Sequence, residues 1–102
     1  MNPTEFSLLA VRISKLKPDD DAGFQAVLNE AMNKMNVLEG DLAREFGVSL
    51  STVNRWSNGR SMPHPAVRKP ILESLAKRAR NLANRANAKT ANSSIQENRD
   101  LA

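Results

Sequence analysis

Cysteine is absent from all 102 residues, which excludes disulfides and thiolate metal sites. Histidine occurs once, as His64 between Pro63 and Pro65, with no acid or second ligand near it in sequence; it reads as a surface loop residue rather than a catalyst. No phosphate-binding loop is present, and no nucleophile stands near a base. The run Asp19-Asp20-Asp21 lacks the glycine and closing glutamate of a calcium loop, so helix capping accounts for it better. No apolar run approaches the ~18 residues of a membrane span, and Met1 to Glu5 is not a secretory signal. These absences set the expectations: not an enzyme, no metal or cofactor, no small-molecule substrate, no membrane, a cytoplasmic location.

What remains is an ordinary globular composition, 40% hydrophobic and 25% charged, sized for one small core. The net charge of +4 is unevenly spread. Residues 1–48 hold five Lys/Arg against eight Asp/Glu, net −3, and residues 49–102 hold ten against three, net +7. A basic half is the footprint of a polyanion-binding face, or else a solvated basic helix without further consequence.

The centre of the chain is Glu39 to Arg60, EGDLAREFGVSLSTVNRWSNGR. Asp41 to Phe46 form helix readily, and Gly47 interrupts with a residue that enters the left-handed region cheaply. Ser49 is placed to cap a second helix over Leu50 to Ser57, which should stop near Asn58-Gly59. Leu42 and Phe46 share one face of the first helix, Val53 and Trp56 share one face of the second, and Val48 plugs the turn. Ala43 sits where a larger side chain would hold the helices apart. Two short helices around a glycine turn make a helix-turn-helix. Trp56, on the inward face, is expected in the core rather than stacked on a base.

Flanking elements follow from periodicity. Asn2, Pro3 and Glu5 cap a first helix over residues 2–17 with a narrow stripe of Phe6, Leu9, Ile13 and Leu16. That stripe either packs on its own domain or contributes to a dimer. Lys17 to Asp21 breaks this helix and caps the next, whose wide apolar face is Phe24, Val27, Leu28, Ala31, Met32 and Met35. Pro63 and Pro65 predict an extended loop over 60–65. Ala66 to Lys69 is expected as a short helical turn, with Pro70 opening a last helix whose stripe thins to alanine beyond Leu75. That thin stripe suits a homodimer seam or a frayed extension. From Lys89 the polar composition reads as a disordered tail. The expected organisation is therefore an all-α bundle: an N-terminal helix and linker over 1–18, a helix-turn-helix domain with a long C-terminal helix over 19–88, and a tail over 89–102.

An α-helix fits the major groove of B-DNA, and in this motif the start of the second helix faces base edges. With Val53 and Trp56 inward, the outward face holds Leu50, Ser51, Asn54 and Arg55, with Thr52 at its side. Arg55 suits guanine and Leu50 a thymine methyl; Asn54 reads adenine or lies at the edge of the face.

The run LAREFGVSLSTVNRWSNGR, Leu42 to Arg60, resembles the helix-turn-helix of the lambda-repressor-like, or Xre-type, family. The resemblance reaches from about Phe24 to about Leu75. It implies base contacts at Leu50, Ser51, Thr52 and Arg55, and phosphate contacts at Ser49, Asn58, Arg60 and Ser61. Arg44 is expected to face DNA backbone or an acid such as Glu45, and Arg68 and Lys69 to reach phosphate. The implied function is a sequence-specific transcription regulator, a repressor acting as a homodimer on double-stranded DNA. The alternative is an antitoxin-like or adaptor protein whose terminal helices bind a partner protein.

Overall fold

The computed structural model describes the backbone of residues 3–101 and the side chains of residues 3–86. Among the described residues five helices follow in order: α1 (Pro3–Lys15), α2 (Asp21–Met35), α3 (Glu39–Phe46), α4 (Leu50–Ser57) and α5 (Pro65–Leu101). There is no strand among the described residues. The fold is an all-α bundle around one apolar cluster to which every helix contributes. No helix of the described residues is long and apolar enough to cross a membrane.

Helix α1 lies along α5. Its stripe, Leu9, Ala10 and Ile13, is buried against Ile71, Leu72, Leu75, Ala76, Ala79 and Ala83, with Phe6 and Leu16 partly buried beside it. The alanines of α5 let the two helices approach closely. The stripes expected at the two ends of the chain therefore cover each other, and α1 packs on its own domain.

Asp20 caps α2 by accepting from the Gly23 N–H at 2.9 Å. The helix ends at Asn36, which takes the left-handed conformation (φ 59°). Phe24, Val27, Leu28, Ala31 and Met35 turn into the core as their spacing predicts.

The expected break at Pro70 is a correction. Helix α5 starts at Pro65 and runs through Pro70 without interruption. His64 is its cap, not an idle loop residue: Nδ1 accepts from the Ala66 N–H at 3.1 Å, and the His64 carbonyl accepts from Val67 and Arg68. Pro65 then occupies the first helical position, where its missing N–H costs nothing. Pro70 forfeits the bond to the carbonyl four residues back, on Ala66, but both residues are exposed and water can serve that oxygen. Burial of Ile71 and Leu72 immediately afterwards holds the helix together. The tail expected over 89–102 falls where side chains lie outside the described residues; α5 itself is continuous to Leu101.

Candidate nucleic-acid interface

Gly47 ends α3 in the left-handed region, φ 65°, with its N–H on the Ala43 carbonyl, and the Val48 N–H bonds the same oxygen at 3.0 Å. The chain turns there and Ser49 caps α4, its Oγ accepting from the Thr52 N–H at 3.1 Å. Leu42, Ala43, Val53 and Trp56 are buried where α3 crosses α4, with Phe46 and Val48 partly buried around them. Trp56 is 5% exposed and meets the Phe24 ring edge-on, with centroids 6.5 Å apart and planes at 77°. The indole belongs to the core.

The side chains left outside on α4 are Leu50, Ser51, Asn54 and Arg55; Thr52 is half-buried beside them. Leu50, 59% exposed at the first position of the helix, is one of few large apolar side chains given to water. Arg55 and Arg60 carry no side-chain partner among the described residues, so two guanidiniums stand free at one end of this face. The other polar groups are engaged. The Thr52 hydroxyl lies 2.7 Å from Ser49 Oγ, with Ser51 Oγ at 3.3 Å from the same atom. The Asn54 amide donates toward Glu39 Oε1 at 3.5 Å and accepts from Asn58 Nδ2 at 3.1 Å, which ties both asparagines into one chain. The other Glu39 oxygen is buried with no partner. Ser61 is exposed after the turn, where the Arg60 and Ser61 N–H groups both reach back to the Arg55 carbonyl.

One of the expected phosphate contacts, Arg68, is placed differently, and two others, Lys69 and Arg44, stay at the surface. Arg68 is 4% exposed. Its guanidinium donates to the Pro63 carbonyl at 2.7 Å and the Pro18 carbonyl at 2.8 Å, pairs with Asp21 at 2.6 Å, and stands 5.7 Å from the Phe24 ring centroid. It is a clamp across three segments, buried with all three of its nitrogens engaged inside the protein. Its neighbour Lys69 lines the groove between α1 and α5, with Ile13, Leu16 and Leu72. Arg44 is exposed and pairs with Asp41, one turn earlier on α3, whose other oxygen accepts from the Leu38 N–H. Glu45 instead accepts from Ser74 at 2.7 Å and Arg78 at 3.1 Å, joining the end of α3 to α5.

Two residues with no sequence signal complete the site. Gln25 and Asn29, one turn apart on α2, both donate to the carbonyl of Ser57 at the end of α4, at 3.2 and 2.8 Å. Two of the three aspartates in the run have structural roles, Asp20 in its cap and Asp21 in its pair with Arg68. No group of three or more His, Asp or Glu residues that could hold a metal occurs among the described residues. In comparisons with known proteins, no family model, no curated protein and no solved structure matches the chain.

Proposed function

We propose that the protein is a non-enzymatic, sequence-specific reader of double-stranded DNA: a cytoplasmic transcription regulator, acting as a repressor, that lays α4 in the major groove. The observation that carries the reading is the outer face of α4. An eight-residue helix buries Val53 and Trp56 and turns Leu50, Ser51 and an unpaired Arg55 to solvent, with a second free arginine, Arg60, just past its end. An arginine without an internal partner is available for the O6 and N7 of guanine, and an exposed leucine suits a thymine methyl. Arg60 and the hydroxyls around Ser49 suit phosphate oxygens, which set register rather than sequence.

One such helix reads only a few base pairs, so we propose a homodimer on a pseudo-palindrome with half-sites about 34 Å apart or a multiple of it. Selection of bound DNA from a random pool at ~150 mM salt tests both statements, because that salt suppresses binding by charge alone. A two-fold symmetric motif is expected. A single half-site removes the dimer, and no enrichment removes the reading.

A second reading is favoured by the seam between α1 and α5. Two adjoining grooves there, of about 520 and 510 Å³, share Ser14 and Arg80 and form one trough. Its floor is apolar, including Val11, Ile13, Leu72 and Ala83, and its rim carries Lys15, Lys69 and Arg80 against the single acid Glu73. That rim suits an acidic amphipathic helix of a partner protein, as an antitoxin-like or adaptor role requires. A second copy of the same face would set these cations against one another. Arg80→Glu should abolish capture of such a partner and leave DNA selection unchanged.

A further inference from the structure

We infer that Gln25 and Asn29 are positioning residues that set the base discrimination of α4 without touching DNA. The inference rests on the DNA reading of α4 and deepens it.

The last carbonyls of a helix have no partner within it. At the end of α4, the Ser57 carbonyl takes two donors from a different helix: Gln25 Nε2 at 3.2 Å and Asn29 Nδ2 at 2.8 Å. The Asn29 amide also bonds the Gln25 backbone carbonyl at 3.0 Å, so its direction is set by α2 and not by α4. Gly59 belongs to the same joint. It has φ 74°, and a Cβ there would stand 2.8–3.0 Å from the Gln25 amide. Glycine lets the turn after α4 come down onto Gln25.

Apolar burial does not by itself fix the tilt of so short a helix. Burial of Val53 and the edge-on meeting of Trp56 with Phe24 choose which face of α4 points inward, but that force is not directional. Hydrogen bonds are directional, and bidentate contacts tolerate only a few tenths of an ångström. From Trp56 back to Leu50 the helix rises about 9 Å, so a tilt of about 10° moves Leu50 by about 1.5 Å. The grip on Ser57 adds two directed bonds from α2 beside the apolar Trp56 contact, and together they restrict how far the helix can swing about its C-terminal end. Losing it should blur which base edges Leu50 and Arg55 meet, while Arg60 and the general positive charge still hold phosphate.

The test uses the full chain and the DNA sequence selected by the wild type. Gln25→Met together with Asn29→Leu keeps side-chain size and removes both donors; circular dichroism and thermal unfolding establish that the double variant is folded. Specific and non-specific affinity are measured across a salt series, with a repeated selection. The expected result is at least a tenfold fall in the specific-to-non-specific ratio, and a broadened preference at the positions read by Leu50 and Arg55. Non-specific affinity and its salt slope should not change. Gln25→Met alone keeps the shorter bond and should lose only about threefold, which provides a measurement if the double variant fails to fold. An unchanged ratio, or specific and non-specific binding falling together, overturns the inference and leaves the DNA reading standing. A wild type that enriches no sequence overturns both.

Discussion

Along the α1–α5 seam, Leu9, Ile13, Leu75 and Ala79 are at most 1% exposed, whereas α3 and α4 each fully bury only two residues and leave the rest partly or wholly exposed. The seam is held chiefly by apolar area, a force that adds up but does not aim. The helix-turn-helix is held by little area and by individually directed groups: the Ser49 cap, the Glu45 links to Ser74 and Arg78, and the Gln25 and Asn29 grip on Ser57. Stability should therefore reside in the seam, and the orientation of α4 in the small polar joints. Two arginines condense the contrast. Arg68 has each of its three nitrogens engaged inside the protein, and Arg55 has no side-chain partner among the described residues.

The largest break in that comparison should come from Leu75→Ala. A fully buried leucine cut to alanine at the centre of the seam should cost about 3 kcal/mol and lower the thermal midpoint by about 15 °C. Arg68→Met should come next, losing about 2–3 kcal/mol because two carbonyls lose their donor. Its partner Asp21 is largely exposed and can rehydrate, which keeps the loss below that of a fully buried pair. Chemical denaturation measures this, and DNA affinity of the folded variant should not move.

Arg55→Ala should do the reverse, changing stability by no more than about 0.5 kcal/mol and, on the proposed DNA reading, relaxing base preference by about 1–3 kcal/mol at the position it reads. Equal losses of stability and preference in both arginine variants would dissolve the contrast.

The two turn glycines sharpen it further. A Cβ at Gly47 meets nothing within 4 Å, so Gly47→Ala should lose only the left-handed backbone preference, about 1 kcal/mol. Gly59→Ala has the same backbone cost and also displaces the Gln25 amide, so about 2 kcal/mol is expected from unfolding curves.

The smallest effect belongs to Glu30, which bridges Arg12 and Lys34. Partial burial pushes its pKa up, but hydrogen bonds and charge from Arg12 and Lys34 outweigh that and leave it below the ordinary glutamate value. A carboxylate whose pKa is depressed by folding binds its proton more readily in the unfolded chain. Its contribution is therefore present above the ordinary value and lost as the pH falls through the folded one. All three side chains are partly solvated, so under about 1 kcal/mol is at stake. Glu30→Gln should flatten this part of an acid-side stability profile; an unchanged profile removes the assignment.

The turn between α3 and α4 was legible because its signals are local. Gly47 and Ser49 act on backbone groups within a few residues of themselves, and the observed helices end where these residues predict. The pairs Leu42 with Phe46 and Val53 with Trp56 follow from helical period and Ala43 from the crowding at the turn; all are buried except Phe46, which is partly so. Arg68 was misread because nothing near it in sequence says that Pro18 and Asp21 come within reach; they stand about fifty residues earlier. Pro70 was misread for a similar reason, since the local rule that a proline breaks a helix yields to the burial of Ile71 and Leu72. Gln25 and Asn29 look like any solvated polar face until Ser57 is placed beside them.

Periodicity, caps and turn residues are properties of short stretches of chain, and they determine by themselves that this protein is helical, where its central turn lies, and which face of α4 is outward. Which side chains meet across the helices, Arg68 with Pro18 and Asp21 or Gln25 and Asn29 with Ser57, is decided only by the tertiary structure. A hydrogen bond or ion pair needs two groups within about 3 Å, and folding alone brings such partners together from distant parts of the chain.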